Sequence, residues 1–237
     1  MNKLIGISGK IKSGKDTLLD AAKELFGDRA VRVGFSDKLK EIASDVSGDP
    51  IELFQTQEGK TGLMDSKWVN SSGSIMTRRE FLQKLGTEVR VGVCPNFWVN
   101  AYLTKIKYIW DSNPDTIIFT PDCRFFNEVN CVIENGGRVI RINRKFTWIE
   151  FCKEYGIERL DDYIGSKDKR LVQDWIPILV GLNTHMRGSR KDVFEALRAV
   201  SHISETEVDN FNFNETIEND GSLDLFEDRI NSLLIRM

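Results

Sequence analysis

"ISGKIKSGKDTLLD", residues 7–20, is the stretch on which the fold turns. Gly9, Gly14 and Lys15 match the phosphate-binding pattern G-x-x-x-x-G-K-[S/T] as far as its lysine. Asp16 then stands where the pattern has a hydroxyl, and Thr17 follows one position late. Phosphates concentrate negative charge at one point, and a glycine-containing loop can answer by wrapping its backbone N–H groups around them. A helix behind such a loop adds free N–H groups and the positive end of its dipole. Lys15 would supply a cation to the β and γ phosphates of a triphosphate.

The flanks fit. "KLIGIS" (3–8) is a short apolar run of the kind a buried parallel strand uses, and Leu18, Ala22, Leu25 and Phe26 recur at helical spacing after the loop. A strand-to-helix turn that merely contains two glycines and a lysine is the ordinary alternative; the agreement of spacing with context argues against it. Asp16 bears on the metal. A carboxylate beside polyphosphate is repulsive unless it points away or sees the ion. Mg²⁺ keeps several of its waters, so Asp16 and Thr17 are candidates to hold it through water.

Outward from the loop, strands and helices alternate. "AVRVGF" (30–35) reads as a strand, and "SDKLKEIASDV" opens a helix with Ser36 as N-cap. Residues 48–76, rich in Gly, Ser, Asn and Asp with little periodicity, read as a loop or excursion. Helical stripes return with Leu82, Leu85 and Val89, then Val99, Leu103, Ile106 and Trp110. "NPD" (113–115) makes a turn before the strand "TIIFT" (116–120). Phe125, Val129, Val132 and Ile133 form the next helical stripe, ended by Gly136-Gly137, and "RVIRI" (138–142) is another strand. Residues 145–200 mix aromatic residues with nearly balanced charge around helical stretches. "FNETI" (213–217) reads as a last strand, and Leu223, Phe226, Ile230, Leu233 and Leu234 give a final amphipathic helix capped by Ser222. The alternation implies an α/β fold with a mainly parallel, five-stranded sheet flanked by helices.

Ligands of open α/β sheets gather at the carboxyl ends of the strands, so the residues there are the site candidates. Asp122, just beyond "TIIFT", could hold Mg²⁺ through water or orient a substrate oxygen; a helix N-cap or turn role is the ordinary alternative. Arg124 could fork onto an acceptor phosphate, or pair with nearby Glu128. Arg78 and Arg79 stand at a helix start, where cations oppose the dipole, which favours a phosphate partner. Gln83, one turn on, suits a base edge, though such a residue is more often plain surface.

Composition bounds the rest. The 237 residues, 41% hydrophobic and 29% charged, carry a net charge of −3, so no strong positive field argues for bulk nucleic-acid binding. No run approaches the ~20 apolar residues of a membrane span, and the N-terminal apolar run is too short for a signal peptide. Cys94, Cys123, Cys131 and Cys152 lack C-x-x-C spacing and read as reduced packing thiols of a cytoplasmic protein. His185 and His202 alone make a dedicated zinc site an unattractive reading.

Taken in order, "SGKIKSGKDT", "FSDKLKEIA", "RREFLQKLGTEVRV" with "FWVNAYL", "PDCRFFNEVN", "GGRVIRINR", "HISETE" and "IENDGSLDLFEDRI" resemble the bacteriophage-type deoxynucleoside monophosphate kinases. The resemblance touches nearly the whole chain except about 48–75 and 145–200. It implies a single P-loop kinase domain over 1–237, with an acceptor-binding excursion at 48–110 and a helical, lid-like insertion at 145–202. It also implies transfer of the ATP γ-phosphoryl group to the 5′-phosphate of a deoxynucleotide, with ATP and Mg²⁺ required, for DNA precursor supply in a host cytoplasm if phage-encoded. Partners would be small-molecule nucleotides without a membrane, and a homodimer is compatible with it.

By position, the resemblance places Gly9, Ser13, Gly14, Lys15, Asp16 and Thr17 on the donor phosphates, and Asn219, Asp220 and Gly221 beside the donor adenine. Ser36, Asp37 and Lys40 match an element near the acceptor. Arg79, Gln83, Gly86, Thr87 and Trp98 match the helical acceptor region. Asp122, Arg124, Asn127 and Glu128 match a "D-x-R-[F]-x-N-E" element, in which Phe126 replaces a frequent proline. His202, Ser204 and Glu205 match "H-x-S-E" after the lid. Lys15, Asp122, Arg124 and Arg144 would carry the chemistry, and the resemblance leaves open which of Arg144, Arg187 or Arg190 serves as the lid arginine. Two alternatives stay open: a related kinase acting on a modified base in DNA or another small phosphorylated metabolite, and a non-catalytic ATP-binding module.

Overall fold

The computed structural model describes residues 3–10, 13–144 and 211–236. Its centre is a five-stranded parallel sheet in the order β2-β3-β1-β4-β5. The strands are β1 (Lys3–Gly9), β2 (Ala30–Arg32), β3 (Ile117–Thr120), β4 (Arg138–Asn143) and β5 (Glu215–Glu218). Burial explains why these segments pair: Leu4, Ile5 and Ile7, Ile117 to Phe119, and Val139, Ile140 and Ile142 are almost fully enclosed. Such continuous apolar runs suit strands covered on both faces. In register, Lys3 to Gly6 lie beside Ile117 to Thr120.

The α-helices among the described residues are α1 (Lys15–Phe26), α2 (Asp37–Ser47), α3 (Ile51–Gln55), α4 (Gln57–Thr61), α5 (Arg78–Gly92), α6 (Phe97–Ser112), α7 (Phe126–Glu134) and α8 (Leu223–Ile235). Among the described residues no helix is long and apolar enough to cross a membrane. The chain divides into two compact units. One comprises Met1–Gly6, Lys23–Cys123 and Asn127–Arg138; the other comprises Ile7–Ala22, Arg124–Phe126 and Val139–Met237.

Several expectations need correction. The strand predicted over 30–35 ends at Arg32, although the Val33 amide still donates to the Phe119 carbonyl. The chain then turns because Gly34 is pinned by two carboxylates: its N–H donates to Asp37, and a Cβ there would lie 3.0 Å from oxygens of both Asp122 and Asp37. Ser36 precedes α2 but does not cap it with its side chain; the hydroxyl donates to Asp122 instead. Residues 48–76 are not plain loop. They hold α3, α4 and the antiparallel bridges Leu63–Thr77 and Val69–Ile75. Phe54, Met64 and Met76 pack there with Ala43 and Phe81 into a small core that fixes the start of α5. Phe125 precedes α7, and the last strand begins two residues later than "FNETI". Leu25 and Leu223 belong to the apolar stripes yet are largely exposed. The proposed lid over 145–202, with His202, Ser204, Glu205, Arg187 and Arg190, lies outside the described residues.

Candidate functional site

In the second unit the phosphate loop leaves β1 and enters α1. Gly9 is confined: a Cβ there would crowd the Ser13 side chain and come within 2.9 Å of the Ile142 carbonyl. Gly14 has φ +104°, a left-handed conformation that penalises any side chain, and a Cβ there would overlap the Phe226 ring at 2.5 Å. Both glycines of the motif are therefore demanded by the packing around them. Lys15 opens α1, and its ammonium donates to the carbonyls of Gly9 and Lys10 at 2.7 and 2.6 Å. The Ser13 amide also donates to Lys10, closing the loop on itself.

The loop is braced by the chain's C-terminal elements. Asn219 donates its side-chain amide to the Ser13 carbonyl at 2.9 Å, while its own N–H donates to the Asn143 carbonyl at 2.8 Å. Asn143 in turn donates to Glu218. Arg229 of α8 bonds the Glu218 carbonyl and the Asp220 carboxylate. Gly221 is exposed beside Leu225. Arg144 is exposed just beyond β4, and Arg124 is half-buried.

In the first unit a second cluster forms beyond β2 and β3. Asp122 accepts from the amides of Phe35 and Ser36 at 3.0 and 2.9 Å and from the Ser36 hydroxyl at 2.7 Å. Asp37 is engaged by the Gly34 amide, by Arg32 and, at 3.4 Å, by Lys105. Burial alone would raise the Asp37 pKa, but the Gly34 amide and the two cations outweigh it and hold the carboxyl below its ordinary range. Lys40 follows on the first turns of α2. On α5, the Gly86 carbonyl accepts the Trp98 indole N–H at 3.0 Å, and Trp98 itself is buried. Arg79 donates to Gln57, whereas Gln83 and Thr87 face solvent. Arg78 is taken by Asp49 at 2.7 Å and by the Gly59 carbonyl, so its place at the helix start serves packing of α4 and α5. Asn127 and buried Glu128 both meet Arg90 of α5, at 3.4 and 3.1 Å.

The residues present fit an anionic polyphosphate. The loop needs glycine twice, the Ser13 hydroxyl is buried with no hydrogen-bond partner among the described residues, and an ammonium group stands at the helix start. Among the described residues no group of three or more His, Cys, Asp or Glu side chains is arranged for a metal ion. Asp16 is exposed and Thr17 half-buried on the first turn of α1, where their oxygens suit contact with the water shell of a phosphate-bound Mg²⁺.

Sequence reasoning gives no part in the site to Arg90, Arg141 or Arg229, and places Phe226 only on the apolar stripe of the last helix. Arg141 carried a signal, a charge inside the apolar strand "RVIRI". It is buried, donates to the Ser8 hydroxyl at 3.0 Å, and lies over the Phe213 ring. The others are visible only once α5 and α8 are packed.

A scan against protein-family models finds no match. Over 191 residues the chain is 27% identical to a protein of Acanthamoeba polyphaga mimivirus named "Putative deoxynucleotide monophosphate kinase", covering 76% of this chain and 89% of that one. The name coincides with the resemblance drawn from the motifs. Among solved structures, a dephospho-CoA kinase from Campylobacter jejuni aligns over 99% of this chain and 97% of its own, at 14% identity and a TM-score of 0.42. A Thermus thermophilus protein aligns over 100% and 98%, at 16% identity and a TM-score of 0.40.

Proposed function

We propose that this protein is a P-loop kinase that transfers the γ-phosphoryl group of ATP to the 5′-phosphate of a deoxynucleoside monophosphate, giving the diphosphate. The observation that carries the reading is Gly14 at φ +104°, directly before Lys15 at the start of α1. A loop turned this way, between a strand and a helix N-terminus, is suited to a phosphate chain. The viral relative's name supports the acceptor, as does the order of the motifs.

Lys15, now bonded to two loop carbonyls, would exchange them for β and γ phosphate oxygens and neutralise charge developing in the transition state. A bound Mg²⁺ would add charge neutralisation across the same phosphates, with Asp16 and Thr17 holding its waters. Asp122 orders the 35–36 turn by accepting its amides, and we assign Ser36, Asp37, Lys40, Arg79, Gln83, Thr87 and Asn127 to the acceptor side. Arg124 and Arg144 would share the remaining phosphate charge. The acceptor phosphate is already largely ionised near neutral pH, so the reaction needs positioning more than a strong general base.

A panel of ribo- and deoxynucleoside monophosphates, assayed with ATP for acceptor-dependent ADP release, tests the reading. Phosphorylation of deoxynucleotides, lost in Lys15→Ala with folding intact, is the expected result. Turnover of dephospho-CoA or of DNA in place of nucleotides would replace the acceptor; ADP release without any acceptor requirement would sink the assignment.

A further inference from the structure

The C-terminal bracing of the loop carries a role that adenine contact does not cover. We propose that Asn219 is a positioning residue for the donor loop, its side-chain amide holding the Ser13–Gly14 peptide so that the Gly14 N–H is presented to phosphate. The inference rests on the reading that this loop binds the ATP phosphates.

A trans peptide is planar, with its C=O and the following N–H on opposite edges. The Ser13 carbonyl accepts from Asn219 Nδ2 at 2.9 Å, so the Gly14 N–H is directed away from Asn219. Gly14 can take this setting because φ +104° is open to glycine. A flip of the same peptide would turn the carbonyl oxygen, a partial negative charge, toward the phosphates in place of the N–H. Nothing in the covalent chain forbids the flip, since glycine tolerates both signs of φ. The bond from Asn219 therefore selects between two settings of opposite electrostatic sign.

Asn219 is itself fixed. Its backbone N–H is bonded to the Asn143 carbonyl at the end of β4, and Arg229 grips the residues on either side, through the Glu218 carbonyl and the Asp220 carboxylate. The Phe226 ring fills the space beside Gly14 on the same flank, since a Cβ at Gly14 would meet both that ring and Asn219 Nδ2. A strand end, a helix and one amide thus hold the peptide from one side.

Tripolyphosphate separates this role from contact with the base, because it carries the phosphate chain without adenine. The 237-residue protein and its Asn219→Ala variant are titrated calorimetrically with ATP and with tripolyphosphate, each with Mg²⁺. Loss of one hydrogen bond that selects a setting predicts affinities weakened roughly three- to tenfold, by a similar factor for both ligands. A loss confined to ATP assigns Asn219 to the base and overturns the proposal, as does no loss for either ligand. Wild-type protein that binds neither ligand removes the donor-site reading itself, and the proposal with it. Should Asn219→Ala fail to fold, Asn219→Ser, which keeps a short polar side chain but withdraws the amide donor, answers the same question.

Discussion

Asp122 accepts both the amide and the hydroxyl of Ser36, at 2.9 and 2.7 Å, across 86 positions of sequence. One carboxylate at the end of β3 thereby shapes the turn that ends β2 and starts α2, a task separate from any contact with ligand. Asp122→Ala strips acceptors from two amides and a hydroxyl at once and is expected to cost about 2–4 kcal/mol of unfolding free energy. Asp122→Asn keeps one acceptor oxygen and should cost less. Urea unfolding without nucleotide checks this; an Asp122→Ala protein as stable as wild type would leave the residue to ligand chemistry alone.

The same pair shows where sequence reading stops. Strands β1, β3 and β4 were legible because burial on both faces forces continuous apolar runs, and α1 and α8 because their stripes repeat at helical spacing. Helices α3 and α4 are five residues each, too short to display a stripe, so the 48–76 stretch reads only as a loop or excursion. Ser36 has the chemistry of an N-cap, and local spacing cannot reveal that an aspartate far along the chain competes for its hydroxyl. In the phosphate loop, Gly9, Gly14 and Lys15 were legible from spacing, while Phe226 and Asn219, which demand the second glycine, arrive from the far end of the chain.

Arg78 and Arg79 are adjacent, yet the structure gives them different work. Arg78 pairs with Asp49 at 2.7 Å, both side chains largely enclosed, and also reaches the Gly59 carbonyl. Arg79 bonds only a neutral glutamine among its described partners. Arg78→Gln is therefore expected to lower stability by about 2 kcal/mol, and Arg79→Gln by less than about 0.5 kcal/mol. If Arg79 binds the acceptor phosphate, its variant should raise the acceptor KM at unchanged stability. Thermal unfolding and steady-state kinetics on both variants separate the two.

Asp37 sets a pH dependence. Its folded pKa lies below the unfolded value, because the Gly34 amide, Arg32 and Lys105 outweigh burial. Its ionised form therefore contributes stability that is fully present above the unfolded pKa, about 3.9, and is lost as pH falls through the folded value. Asp37→Asn should be less stable than wild type at pH 7, by about 1–3 kcal/mol, with the gap closing below about pH 4. Urea midpoints measured across this range test it. A gap that stays constant into acid would mean that charge at Asp37 contributes nothing.

Arg90 and Glu128 join α5 to α7, their closest charged atoms 3.1 Å apart, with the Glu128 side chain only 4% exposed. Removing the guanidinium takes a charged partner from an enclosed carboxylate, whereas replacing both charges removes the desolvation cost together with the bond. Arg90→Met alone is therefore expected to destabilise by about 2–3 kcal/mol, and Glu128→Gln by a comparable or smaller amount. The double variant should fall short of the sum by at least about 1 kcal/mol, the coupling expected of groups in contact. Arg90 also reaches Asn127 at 3.4 Å, so its loss should loosen the start of α7 and quicken amide exchange there. Strict additivity in the double-variant cycle would show the pair to be a neighbourly contact without energetic weight, and would free Glu128 for a role toward substrate.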